Sequence, residues 1–240
     1  MKRWTRLDQA RGLAVLFMIG FHFCFDLDQI YGLIDIDIKT DLFWTTLRNI
    51  ILSSFLFIAG ISLYPAANTC RSFSSHLKNQ QWLAVCALLV SMGTYPVFPH
   101  SWIYFGVLHC ILLARILCYF CPRLVFFNLW AGLVILGAGL LVEHSFFDPK
   151  WINWIGFATY KPLTEDYVPL FPWLGVFMFG IFFGRWVFSF VDQSSKSYDR
   201  PKSCLGQGLA FTGRHSLLIY MLHQPLLLGI LAVVVYVLDL

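Results

Sequence analysis

The first apolar stretch of this 240-residue chain carries two side chains of the kind that move protons, His22 and Asp26. The stretch opens at Leu13, so His22 lies roughly 13 Å into it at the rise of a helix. An ionisable group at that depth usually faces a bundle interior or a wet cavity rather than lipid. Asp26 follows four residues later, on the same helical face. A carboxylate one turn from an imidazole can hold its tautomer and stabilise its charged form, which is the arrangement a general base needs. A buried His–Asp pair that only pins helix packing has the same spacing, so both readings stand.

Further polar residues interrupt the other apolar stretches. Arg48, followed by Asn49, Ser53 and Ser54, either snorkels to the outer interface or aims a cation at Asp26 or a substrate. His109 follows Phe105-Gly106, and His223 stands in Tyr220-Met221-Leu222-His223-Gln224-Pro225. Pro225 leaves the Met221 carbonyl without its helical donor, so a kink is expected, and His and Gln beside a break suit a cavity wall. For either histidine a packing role competes. The acidic and aromatic run from Asp166 through Tyr167 and Pro172 to Trp173 would suit stacking on a sugar, or an interfacial aromatic belt. At the opposite end Arg6, Arg11, Lys202 and Arg214 could meet an anionic ligand, with Arg214 expected to open a helix N-terminus that also favours phosphate. Ordinary inner-face charge explains the same residues. Cys118 and Cys121 form a CxxC at a helix end, without the second pair a zinc site needs, so no metal is expected. The seven Cys fall mostly in apolar stretches or on the inner side, which implies no disulfide framework.

These residues need elements that live in lipid. The chain is 58% hydrophobic and 12% charged, against about 25% charged for a soluble domain. Seven apolar segments stand out, at about 12–32, 43–64, 81–98, 102–121, 124–142, 169–190 and 214–238. With the N-terminus inside, only Lys39, Arg48, Lys150 and Lys161 of the seventeen Lys and Arg fall outside, as the positive-inside rule requires. The expected fold is therefore all-α, a polytopic membrane helix bundle of about seven transmembrane helices, in a single domain over 1–240. The net charge of +4 is a topology signal, not a sign of nucleic acid. Gly12, Gly60, Gly180, Gly184 and Gly213 invite close helix approach, and the Gly180–Gly184 GxxxG allows a homodimer. The apolar first segment runs into His22 and Asp26 with no small-residue cleavage site, so an uncleaved helix is expected.

Five strings in order carry a resemblance: Arg6-Leu-Asp-Gln-Ala-Arg11-Gly12 to Met18 with His22; Phe55-Leu-Phe-Ile-Ala-Gly60-Ile-Ser62; Phe105-Gly106-Val-Leu-His109; Pro169-Leu-Phe-Pro172-Trp173-Leu-Gly175; and Gly213-Arg214-His215-Ser216 to Tyr220 with His223-Gln224-Pro225. Together they resemble the bacterial branch of the heparan-alpha-glucosaminide N-acetyltransferase catalytic-domain family. The resemblance implies a bacterial inner-membrane acyltransferase that moves an acetyl group from cytoplasmic acetyl-CoA, its co-substrate, to a sugar amine or hydroxyl on the other side. It implies a central role for a membrane-embedded histidine, best matched by His22 with Asp26, and puts Arg11 and Arg214 near the donor. Arg48, His109, Asp166, Trp173 and His223 are then the acceptor-side candidates. The outer loops are short, which argues against a long polysaccharide acceptor. A transporter of a small polar or acyl-bearing solute, or a membrane accessory subunit, would use the same buried polar residues differently.

Overall fold

The computed structural model describes residues 4–69, 72–193 and 203–239. Lys202, expected on the inner face, lies outside the described residues. Among those residues the fold is all-helical: α1 (Thr5–Phe25), α2 (Leu42–Thr69), α3 (Phe73–Val97), α4 (Val107–Leu117), α5 (Val125–Leu141), α6 (Leu170–Gln193), α7 (Cys204–Arg214) and α8 (Ser216–Leu238). No strand forms among them; a single isolated bridge joins Phe105 to Tyr167.

The surface is far more apolar than that of a soluble protein. Leu13, Phe17, Leu88, Trp130 and Ile230 are exposed, whereas Asp8, Asp26, His76, Asn128 and His223 are buried. Along α8 only His223 and Leu231 are buried. Water would not tolerate such a surface, and lipid requires it. Among the described residues four helices are long and apolar enough to cross a bilayer: Thr5–Ile30, Leu42–Ala66, Leu170–Ser189 and Ser216–Leu238. Val107–Leu117 and Val125–Leu141 are apolar but shorter. The chain is thus a multi-pass membrane protein.

The fourth segment is shorter at both ends than its expected limits. α4 has 11 residues, roughly 16 Å of helix against a hydrocarbon core of about 30 Å. Residues 102–106 are not helical, because this stretch is bonded to the later loop at 164–168. Val168 N–H donates to the Phe105 carbonyl at 3.3 Å and Glu165 N–H to the Ser101 carbonyl at 2.8 Å. The third segment is longer than expected. Ser72 caps α3, its hydroxyl accepting from Ser75 N–H at 3.2 Å, so the helix gains two polar turns. Those turns stay ordered against α4: Arg115 Nε donates to Gln80 Oε1 at 2.7 Å, and His76 Nε2 to the Arg115 carbonyl at 2.9 Å.

The described residues divide into two compact units, one from Leu56 through α6, the other running up to Phe55 together with α7 and α8. In the first, Leu63, Ala114, Cys118, Leu174, Phe177 and Ile181 pack as a core. Gly60 of α2 and Gly180 of α6 let two backbones meet: a Cβ on Gly60 would strike the Phe177 carbonyl, and one on Gly180 the Phe57 carbonyl. In the second, Val15, Met18, Phe21, Ile38 and Ile51 form the core, joined by Trp44 and Ile219. Here α1 and α7 cross at Gly12 and Gly213, whose missing side chains make room for the Leu209 and Asp8 carbonyls. The buried face of α7 is Gly206, Ala210 and Gly213, one small residue per turn.

Candidate active site

α1 ends at Phe25 and continues as a single π-helical turn, Asp26–Ile30. This turn carries Asp26 into the second unit, where it is fully buried. Its partner is not His22, as the spacing suggested, but Gln224 of α8, whose Nε2 donates to Asp26 Oδ1 at 2.6 Å. The widened turn and the approach of α8 bring an amide donor to the carboxylate. Nearby, Tyr31 hydroxyl donates to the Leu228 carbonyl at 2.8 Å, a second tie between the end of α1 and α8. Within the π turn Asp28 accepts from the N–H groups of Ile36 and Ile38, closing the loop that follows.

His22 instead faces His223, with ring centroids 5.0 Å apart. Phe21 and Phe25 meet the His22 ring edge-on, at 5.8 and 6.5 Å. The His22 ring makes no hydrogen bond among the described residues. His223 is held from its other nitrogen, because Nδ1 lies 2.7 Å from the Tyr220 carbonyl. A carbonyl oxygen only accepts, so Nδ1 carries the proton and Nε2 presents a lone pair. That Nε2 is buried without a partner, as are Asp26 Oδ2 and Gln224 Oε1. Buried polar atoms are normally satisfied, so three orphaned acceptors in one neighbourhood ask for a donor that a bound molecule would bring. An imidazole with a fixed tautomer and an open lone pair is the geometry of a base or nucleophile.

At the other end of α1 lies Asp8, 3% exposed. Arg11 Nη1 donates to its Oδ1 at 3.2 Å, and Arg214 Nε stands 3.7 Å from its Oδ2. The two arginines expected near an anionic donor are therefore gathered by a carboxylate that sequence reading left aside. Arg214 closes α7 rather than opening a helix; α8 begins two residues later. Arg48 is exposed on α2 with no hydrogen bond or ion pair among the described residues.

The remaining candidates belong to the first unit. Asp166 Oδ2 accepts from Val107 N–H at 2.8 Å and so caps α4. His109 serves the same helix end: Nδ1 accepts from Gly106 N–H at 3.3 Å, which leaves Nε2 to donate to Ser91 Oγ at 3.1 Å. Both nitrogens of His109 are thus engaged. Trp173 is half-buried in the first turns of α6. Around them Tyr167 donates to the Asn153 carbonyl at 2.7 Å and Tyr104 to Asn153 Oδ1 at 3.0 Å. Burial pushes the Tyr167 phenol up, so it stays a donor. Among the described residues no group of three or more His, Cys, Asp or Glu is placed to hold a metal ion.

A family model described as heparan-alpha-glucosaminide N-acetyltransferase, catalytic, matches residues 3–225. The chain belongs to this family. No curated protein and no solved structure matches it. The heparan-alpha-glucosaminide N-acetyltransferase match includes both paired histidines, Asp26 and Gln224, and the Asp8 cluster. It identifies an acetyltransferase family.

Proposed function

We propose that this chain is a bacterial inner-membrane acetyltransferase that carries an acetyl group from cytoplasmic acetyl-CoA to a sugar amine or hydroxyl on the far side. Seven crossings with the N-terminus inside would put Arg11 and Arg214 at the cytoplasmic mouth. His22 is eleven residues beyond Arg11 on α1, roughly 16 Å along the axis. A donor whose phosphates meet the two guanidinium groups would extend its thioester toward the histidine pair. The observation that supports this reading is the His22–His223 contact, with the His223 lone pair left open.

The two imidazoles divide the work. His22, with neither nitrogen committed, attacks the thioester carbonyl; the C–S bond breaks, and the thiolate of CoA leaves with the proton His22 gives up. The acceptor then attacks the acetyl-imidazole. The acetyl–nitrogen bond to His22 breaks as His223 Nε2 takes the acceptor's proton, the Tyr220 carbonyl supports the imidazolium through Nδ1–H, and that proton then returns to the displaced His22 nitrogen. Arg48, Asp166 and Trp173 are the acceptor-side candidates of this proposal. His109 can join them only by giving up a bond that holds α4.

The test uses purified protein in lipid nanodiscs, acetyl-labelled acetyl-CoA and a panel of cell-envelope amino sugars. His22→Ala should abolish label on the protein and on every acceptor. His223→Ala should let labelled protein accumulate while transfer falls about 10²–10⁴-fold, the usual contribution of a positioned base. Normal turnover in a well-expressed His22→Ala protein would end this assignment.

A further inference from the structure

The CxxC that the acetyl-transfer reading leaves unused sits at the turn between α4 and α5. Cys118 follows the last residue of α4 and is buried at 3% exposure; Cys121, half-buried, opens the short 3₁₀ turn Cys121–Arg123. Cys121 N–H donates to the Cys118 carbonyl at 3.0 Å. A turn closed in that way holds its end Cα atoms within about 7 Å, which overlaps the range of about 4.4–6.8 Å spanned by disulfides. The turn itself is fastened: Asn128 Nδ2 donates to the Cys121 and Leu124 carbonyls, both at 2.7 Å, and Leu124 N–H to the Cys121 carbonyl at 2.9 Å.

From this geometry we infer that Cys118 and Cys121 are a vicinal dithiol that closes reversibly to an intramolecular disulfide by exchange with a small-molecule disulfide of the glutathione class. Cys121 is the attacking sulfur, since it is the more accessible of the two. Its thiolate attacks the small disulfide, and one glutathione thiol leaves. Cys118 releases its proton to solvent and attacks the Cys121 sulfur, and the second glutathione thiol leaves. Two protein thiols are oxidised and one small disulfide is reduced to two thiols. The charge bias assigns this turn to the cytoplasm, where the dithiol is the resting form and the disulfide a response to oxidation. Cys118 also packs with Leu63, Leu174 and Phe177, so closing the bridge would couple the turn's redox state to the core of its unit.

The experiment incubates the full-length protein in nanodiscs with oxidised glutathione, alkylates the remaining thiols and maps peptides by mass spectrometry. Exposed Cys204 reports that the reagent has reacted, as a plain glutathione adduct. In the wild type the segment holding both cysteines should be two hydrogen atoms lighter, with neither sulfur alkylated and no glutathione retained. Cys118→Ser should retain glutathione on Cys121, because nothing remains to displace it. A stable adduct on Cys121 in the wild type, or two alkylated thiols in the segment while Cys204 is modified, would overturn the inference; so would an unmodified Cys121 in Cys118→Ser.

Discussion

Single residues in this protein are held by partners far away in the chain, and the clearest case is Asp26. Its carboxylate is fully buried and receives one strong bond, from Gln224. Gln224→Leu removes that donor and leaves the acid unsatisfied, at a cost of about 1–3 kcal/mol. Thermal unfolding in detergent should show a lowered midpoint, and Asp26→Leu added to Gln224→Leu should restore much of it, since deleting both partners is nearly neutral. An unchanged midpoint in Gln224→Leu would mean that the bond contributes nothing. Residue type alone pointed to His22, Asp26 and His223, because an ionisable side chain in an apolar run is conspicuous. It did not point to the partners. Gln224 stands out only as a wall residue beside the break at Pro225, Asp8 looks ordinary in its string, and only packing of α7 and α8 against α1 shows what they hold.

At the scale of elements, small residues decide where helices touch. Gly213→Ala would push a methyl group into the Asp8 carbonyl and separate α1 from α7 beside the Asp8 cluster. Overpacking of this kind costs about 1–3 kcal/mol or more, so the variant should unfold at a lower temperature. Gly208 is on the same helix with open space around its Cβ position. Gly208→Ala should therefore match or exceed wild-type stability, by up to about 1 kcal/mol. Equal effects of the two substitutions would show that the crossing does not govern stability. Helix boundaries were legible where hydropathy changes sharply, as for α2, α6 and α8. They were not legible where hydrogen bonding overrides hydropathy. The polar start of α3 is helical because His76 and Gln80 find partners on α4, and the apolar stretch before Val107 is extended because the loop at 164–168 claims its backbone.

For the whole molecule, the test concerns topology. Among the described residues four helices are long and apolar enough to cross, and the proposed seven-pass arrangement needs α3, α4 and α5 to cross as well, although α4 is short. With seven crossings the C-terminus emerges opposite the N-terminus. A C-terminal alkaline phosphatase fusion should then be active and a C-terminal green fluorescent protein fusion dark, with the reverse pattern requiring an even number of crossings. The homodimer expected from GxxxG meets a different obstacle. Cβ atoms on Gly180 and Gly184 would press on Phe57, Gly60, Ile61 and Tyr64 of the same chain's α2. The intimate seam that glycines offer on α6 is already filled from within. A sibling molecule would have to approach across bulky leucine and phenylalanine flanks, where nestling against a neighbour merely replaces nestling against acyl tails. Such an encounter would loosen whenever the surrounding amphiphile is in excess.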